Sequence, residues 1–572
     1  MQGSSFGDRV RLLPVATIVV SGLALVLSAC GSGGSGTTTT TATVTPATAG
    51  KTFALLKAVD TATDYLDPGL SYRLESWQLF QDSYLGLVVK AHVSCAKGTA
   101  TLNCTTILPG LAQTTGTVTD GGKNYTFTLR KGLEYSNGEP VKASDFTNTI
   151  IRDFKLNSPG IGFFSNIVGV DACERNPTKC KSIGGITTDN GTGAIKIELK
   201  QPQSDFLYVL SIPFTSLVPS STPPKDTENP PPAANGPYYF SSYAPSRRIV
   251  MLRNPNWKRG EIPAVPDGNP DKIVVTETND QAQAAQLVAS GKDMWAGNLL
   301  PTDRISYYKA HCAKQINFFV TPSTFYFFMN QRTPPFDNLQ ARQAVNYAID
   351  RKALVNLAGG LGVPTWNFLP PSYPQYRKIT PTPYPYDLAR AKQLVQQSGT
   401  KGMKVTVYTV GDVAVAKATG EYLQGQLQKI GWNAQIRELG AANYFTIVGN
   451  QSTKAQIGFT NWFEDYPYPT DWFNILQNGE NITQVHNNNY GNVDVKSINQ
   501  QIDHLGHLPP PQALSATTNA AWARIDGDLM VKYASTAPYY NGIVTSFFSS
   551  KMALPCDVFD DNDDDLAQFC LK

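Results

Sequence analysis

The sequence predicts an α/β protein divided into two or more lobes, and three observations lead there. The chain has 572 residues, more than one hydrophobic core usually serves. Residues 405–439 run strand, helix, strand with the lengths of a βαβ unit. Upstream, alternating apolar segments and turn dipeptides recur with no internal repeat of fixed period.

Residues 1–29 read as a secretory signal. Arg9 and Arg11 precede an apolar run from Pro14 to Ala29, and small residues close it. The run is short for a membrane span of about 20 residues. Leu27-Ser28-Ala29-Cys30 resembles the lipobox of bacterial lipoproteins, which implies cleavage before Cys30 and acylation of its thiol. An ordinary signal peptide with an incidental cysteine is the alternative. Residues 31–50 are almost entirely Gly, Ser, Thr, Ala and Pro, a tether with a reach of roughly 25 Å.

The folded body starts near Phe53, and Leu79–Val88 reads as part of a helix. Tyr125, Phe127 and Leu129 alternate with polar residues in a half-buried strand. Turns follow at Lys131-Gly132 and Asn137-Gly138, and Ser144-Asp145 suits the cap of a helix. Pro223–Pro232 is a proline-rich surface loop. Strands are expected at Tyr238–Phe240, Ile249–Leu252 and Ile273–Thr276, then a helix over Gln281–Ser290 ended by Gly291. Phe325–Met329 is an apolar run of strand length. Asp337 or Asn338 starts a helix with Ala341, Ala344, Val345 and Ala348 on one face. Asp387 caps another through Leu388, Ala391, Leu394 and Val395, with Gly399 past its end. Val405, Val407 and Tyr408 lie in a strand, Val413–Ile430 in a helix stopped by Gly431, and Trp432–Leu439 in a strand. A helix near Ala441–Val448 leads to a strand over Gln456–Phe463, and Ala513–Ala534 returns to helix.

Net charge is +3, from 48 basic and 45 acidic side chains, so nothing asks for a nucleic-acid partner. The 26 Tyr, 26 Phe and 8 Trp suit both core packing and recognition by amphipathic rings. Eight cysteines fit an oxidising compartment. With Cys30 set aside for lipid, proximity pairs Cys95 with Cys104, Cys173 with Cys180, and Cys556 with Cys570. Each bond would contribute about 2–3 kcal/mol. Cys312 is left over, buried and reduced.

Signatures of chemistry are missing. There is no phosphate loop, no His-Glu-x-x-His and no Gly-x-Ser-x-Gly, so neither an enzyme nor a cofactor is indicated. The cysteine spacings give no zinc site. His504 and His507 are three apart, but Pro509-Pro510-Pro511 follows, which marks them as surface residues. Asp560, Asp561, Asp563, Asp564 and Asp565 lack the glycine and distal glutamate of a calcium loop and read as a solvated acidic tail.

Five segments in order resemble the family 5 extracellular solute-binding proteins, which serve ABC importers of dipeptides, oligopeptides and related solutes. The first is Leu66-Asp67-Pro68 with Tyr84-Leu85-Gly86-Leu87. The second is Asn124–Gly132, then Asn137-Gly138-Glu139-Pro140, Ala143 and Asp145. The third is Asn235-Gly236-Pro237-Tyr238 with Arg253-Asn254-Pro255. The fourth is Pro334–Asn338, Ala341–Ala344 and Tyr347–Arg351, and the last is Trp462–Tyr466 with Pro469. The likeness runs from about residue 52 to 550. It implies a two-lobed fold of the type II periplasmic-binding-protein kind, with an extra subdomain in lobe one and two crossing segments. Lobe one would hold 51–324 plus 541–572, with the subdomain at about 75–200, and lobe two 325–540. The crossings would lie near Phe325–Asn330 and Tyr539–Thr545.

The resemblance also implies a site. In the family's peptide binders an acid three residues after a tryptophan pairs with the α-ammonium group, which points to Asp465 after Trp462. Trp462 would be a flat wall, Phe463 would offer backbone groups, and Tyr72, Leu74 and their neighbours to Glu75 would face them from lobe one. Trp462 also reads as core, Asp465 as a turn residue, and Asp471 and Trp472 as alternatives. Tyr466-Pro467-Tyr468-Pro469 departs from the commoner acid-rich stretch, which leaves nickel chelates, sugars and other solutes open as ligands. The leading expectation is a lipid-anchored, monomeric receptor on the outer face of the cell membrane that delivers a short peptide to an ABC permease. A secreted hydrolase and a sensory or adhesive lipoprotein are the alternatives.

Overall fold

A computed structural model describes residues 52–94, 103–227, 229–553 and 564–572. The signal, Cys30 and the tether lie outside the described residues. Twelve strands form one continuous sheet that serves both lobes. Along its main path the order is Asn433–Leu439, Lys404–Val410, Ile457–Phe463, Ser323–Met329, Thr536–Phe548, Trp295–Gly297, Leu56–Asp60, Lys272–Glu277, Arg248–Arg253 and Tyr238–Ala244. The expected βαβ unit is present: Lys404–Val410 and Asn433–Leu439 run parallel around the helix Ala414–Lys429.

The strand Thr536–Phe548 joins the halves. Its first part pairs with Ser323–Met329 and its last with Ile316–Val320 and Trp295–Gly297. Strand partners therefore switch at Thr321–Pro322 and Asn541–Gly542, the candidate crossings between lobes. Thr321 N donates to Gly542 O at 3.0 Å, and Asn541 Nδ2 to Ser323 O at 2.9 Å, so the two crossings are bonded to each other. Phe325–Met329 lies inside the strand Ser323–Met329, with Asn330 just past its end. That run is apolar because the lobe-two core covers Phe327 and Met329.

A separate four-stranded sheet, ordered Thr117–Thr119, Asn124–Thr128, Ala194–Glu198, Ile186–Asp189, builds the extra subdomain with the helix Ala143–Leu156. Tyr125 and Phe127 face its core, as their alternation requires. That helix begins a turn earlier than Ser144-Asp145 suggests: Asp145 sits in its first turn and accepts from Lys142 N at 2.9 Å.

In lobe two the caps are those the sequence signals. Asn338 and Asp387 accept from the first-turn amides of Leu339–Ala348 and Leu388–Gln397. Ala341, Ala344, Val345 and Ala348 are fully buried. Two helical expectations change. Helix Leu74–Phe80 stops before Asp82, and Val88 enters a strand, because a Cβ on Gly86 would come within 2.8 Å of Leu210 O. Ala513–Ala534 is broken into Pro510–Ala513, Ala516–Gly527 and a wider turn over Asp528–Lys532.

Cys173 and Cys180 form the expected disulfide. Cys104 and Cys570 are also disulfide-bonded, while Cys95 and Cys556 lie outside the described residues. Cys312 is buried as expected but is disulfide-bonded rather than reduced, so sequence proximity does not set all the pairings. Asp564 and Asp565 correct the solvated tail. Both are buried, the first accepting from Ser546 Oγ at 2.8 Å, the second contacting His92 Nδ1 at 2.8 Å and accepting from Gln568 Nε2 at 2.6 Å. Among the described residues, no helix is long and apolar enough to cross a membrane.

The segment leading to Tyr72 is fixed by a buried ion pair. Arg152 on the subdomain helix donates from Nη1 to Asp67 Oδ1 at 2.9 Å and from Nη2 to Oδ2. Removing one partner strands a buried charge, so Asp67→Ala is expected to cost about 3–5 kcal/mol. Urea denaturation followed by tryptophan fluorescence measures it; a loss under about 1 kcal/mol would show that the pair does not hold this segment.

Candidate functional site

Between the lobes the chain leaves a cleft whose walls follow from the sheet. Strand Ile457–Phe463 pairs along one edge with Ser323–Met329. Its other edge meets Lys404–Val410 only at Ile457 and Gly458. Beyond Gly458, no strand among the described residues takes that edge. An open edge offers backbone donors and acceptors to an extended guest. Opposite stands Tyr72–Glu75, where Arg73 is extended before the helix Leu74–Phe80.

Three cavities reach this cleft; the largest, of about 640 Å³, is lined by Tyr72, Asp205, Trp462 and Tyr466 among others, and the other two meet at Leu74 and Phe463. Of these two, the first, of about 350 Å³, is lined by Tyr72–Leu74 and Trp77 on one side and by Asn461–Asp465, Phe445, Asn488 and Tyr490 on the other. The second, of about 340 Å³, is lined by Asp60, Glu75, Trp295 and Thr545, among others. Both touch Arg73, Leu74 and Phe463, so they meet at one neck.

Asp465 sits at the mouth of the first cavity, half-buried. Tyr72 Oη donates to its Oδ2 at 2.5 Å, from the opposite lobe. Its carboxyl is pushed up to about 7, chiefly by burial, with the Tyr72 hydrogen bond pulling against that. Asp471, fully buried, is pushed well up by burial and by the Asp465 charge. Asp471 Oδ2 accepts from Asp465 N at 3.1 Å and from Trp462 Nε1 at 3.2 Å. It therefore fixes the turn and the indole without facing the cleft. A third carboxylate, Asp205, reaches across from the lobe-one side and accepts from Tyr466 Oη at 3.0 Å and from Thr470 Oγ1. Burial raises it too. No cation stands among the groups that shift these three carboxyls.

The structure thus brings together Tyr72, Leu74, Trp462, Phe463 and Asp465. Trp462, half-buried, borders the cavity and packs against the core cluster behind it. Trp472 is corrected: it is fully buried, donates Nε1 to Tyr373 Oη at 2.7 Å and packs against Phe368, because its helix turns that side inward. Sequence reasoning missed Asp60, Asp205, Asn488 and Tyr490. Asp60 carried a signal, an acid closing the buried strand Leu56–Asp60; the others come from loops and carried none.

The profile of the bacterial extracellular solute-binding proteins, family 5 (middle region), matches residues 106–484. The chain belongs to this family. Among family 5 relatives, the glutathione-binding protein GsiB of Escherichia coli K12 is 26% identical over 359 residues, 60% of this chain and 64% of that protein. GsiB of Salmonella typhi is 26% identical over 355 residues, again 64% of its length. The alignment thus spans less than two thirds of these curated relatives. Two solved structures share the two-lobed fold. The clavulanic acid biosynthesis oligopeptide binding protein 2 superposes with a TM-score of 0.80 at 22% identity, over 91% of this chain and 96% of that one. DppA of Helicobacter pylori, in complex with peptide STSA, gives 0.72 at 20% identity, over 91% and 98%.

The raised carboxyls make a stability prediction. Asp465 ordinarily titrates near 3.9; held near 7 in the folded chain, it takes up a proton on folding between those values. Its ionised form therefore costs nothing below about pH 4 and its full amount above about pH 7. Asp465→Asn should raise the ligand-free melting temperature relative to wild type, with the gap widening from pH 5 to pH 8. A gap that shrinks over that range would contradict the assignment.

Proposed function

We propose that the protein is an extracytoplasmic receptor of an ABC importer that closes its two lobes on a short peptide, with Asp465 as the anchor for the peptide's α-ammonium group. The observation that carries this is the Asp465 carboxyl itself, half-buried, raised, and supplied only with a neutral hydroxyl. A buried carboxylate without a counter-charge is costly, and an ammonium group entering the cavity removes that cost.

The geometry supports a peptide over a compact solute. The open edge of Ile457–Phe463 ends one residue before Glu464, two before the anchor. An extended chain whose amino end reached Asp465 would run along that edge and face Tyr72–Glu75. Backbone pairing of this kind is indifferent to side chains. The relatives fit: GsiB is named for glutathione, and OppA of Haemophilus influenzae was solved with RPPGFSPFR. Trp462 and Phe463 then act as flat walls, and Asp471 as the residue that positions Trp462 and the Asp465 turn. We place the lobe boundary at the two bonded crossings, which act as the hinge. The lipobox at Cys30 would tie this body to the outer face of the membrane, where a permease meets the closed lobes.

Tri-alanine is the probe, and isothermal titration the measurement. Asp465→Asn is expected to weaken it at least tenfold. In the wild type, affinity should fall by about tenfold per pH unit below about 7, because the ammonium group binds the ionised acid. N-acetylated tri-alanine binding as tightly as the free peptide would overturn the anchor assignment.

A further inference from the structure

The second cavity of the cleft is not needed for an amino-terminal anchor, and its wall is acidic. Asp60, Glu75 and Asp564 line it, with Arg73 as the one basic residue. Arg73 is taken up by Glu75, Nε to Oε2 at 3.3 Å. Glu75 Oε1 also accepts from Thr61 Oγ1 at 2.7 Å. Asp564 Oδ2 accepts from Ser546 Oγ and from Trp295 Nε1. Glu277, behind the wall, accepts from Thr63 N, Thr63 Oγ1 and Arg247 N.

Asp60 differs. It is only 7% exposed, and its Oδ1 accepts from Thr61 N at 2.7 Å. Its Oδ2 accepts from no donor among the described residues. That oxygen faces Gly297, where a Cβ would stand 3.1 Å from it. Burial, Glu75 and Glu277 all push the Asp60 carboxyl upward, with Arg73 a small opposing influence. A carboxylate oxygen on a residue that lines a cavity, with no donor from the protein, is a place where a ligand donor belongs.

The cavity does not suit a bare metal ion. The one group of metal-ligating residues among those described whose donor atoms lie within 4.8 Å of one another is Asp82, His92 and Asp565, elsewhere in lobe one. The carboxylates around Asp60 are more widely spread, which suits a cation carried on an apolar stem. Leu74, Phe463, Val544 and the Trp295 ring supply surface for such a stem.

We infer that this cavity is a specificity subsite for a basic side chain, lysine or arginine, of the bound peptide, with Asp60 as the residue that receives its charge. This rests on the peptide-receptor reading and deepens it: the amino end lies at Asp465 and a basic side chain crosses the neck at Leu74 and Phe463 to reach Asp60. The receptor then prefers cationic peptides rather than being indifferent to side chains.

The test compares tri-alanine with Lys-Ala-Ala, Ala-Lys-Ala and Ala-Ala-Lys by isothermal titration, in wild type, Asp60→Asn and Glu75→Gln. One of the lysine peptides should bind the wild type at least tenfold more tightly than tri-alanine. That ratio should drop to within about twofold in Asp60→Asn and fall partly in Glu75→Gln. Because the readout is a ratio within each folded variant, confirmed by its circular dichroism melt, a general loss of affinity does not imitate it. Equal binding of tri-alanine and all three lysine peptides by the wild type would overturn the subsite alone, as would a preference that survives in Asp60→Asn. No binding of any of the four would overturn the peptide-receptor reading and the subsite with it.

Discussion

A carboxylate removed from water needs a counter-charge, and this cleft withholds one. Asp465, Asp471 and Asp205 cluster where the lobes meet, and each is held by neutral donors: a tyrosine hydroxyl, a threonine hydroxyl, an indole, an amide. Such donors satisfy lone pairs but do not cancel charge, so burial drives all three carboxyls upward. A short distance away a buried acid is answered by arginine instead, where Arg152 meets Asp67.

Thr536–Phe548 belongs to both lobes, and its partners change within a few residues at Thr321–Ser323 and Asn541–Gly542. Backbone bonds tie the two crossings together, and the lobes also meet through side-chain and backbone contacts, among them Ser204 N donating to Gly506 O at 2.9 Å. Tyr72 to Asp465 and Asp205 to Tyr466 are such contacts. They stand beside a hydrophobic cluster that itself runs through both lobes, from Phe206 to Tyr468 and Trp522.

Much of lobe two was legible in the sequence because its signals are local. Asp387 followed by Leu388, Ala391, Leu394 and Val395 states a cap and a face within nine residues, and Ala441–Val448 appears with the bounds its apolar residues suggest. The resemblance pointed to Asp465 through a spacing of three from Trp462, and the cleft does hold both. What failed was non-local. Leu79–Val88 has a helical composition, yet Gly86 must admit the Leu210 carbonyl. Asp564 and Asp565 look solvated until Ser546, Trp295 and His92 reach them from distant strands and loops. Cys312 was left over by counting neighbours, although the fold finds it a partner. Trp472 and Trp462 are alike in the sequence; the helix Thr470–Leu476 turns the first fully inward, while the strand Ile457–Phe463 leaves the second half-buried at the cavity wall.

The Tyr72 hydroxyl on Asp465 deserves its place in the energetics of closure. A ligand moves an equilibrium only by the difference between its affinities for the two states. When the lobes meet without a guest, burial makes Asp465 hold a proton more firmly, and the one hydrogen bond from Tyr72 only partly offsets this. Closure alone therefore gains little from this contact. When an ammonium group is present, the same approach of lobes brings the acid a full counter-charge in a site from which water has been withdrawn, where such pairing is strongest. The open form, with Asp465 solvated, gains far less from the same cation. In the proposed reading, the difference between those gains would drive closure, because the protein supplies Asp465 with no counter-charge of its own.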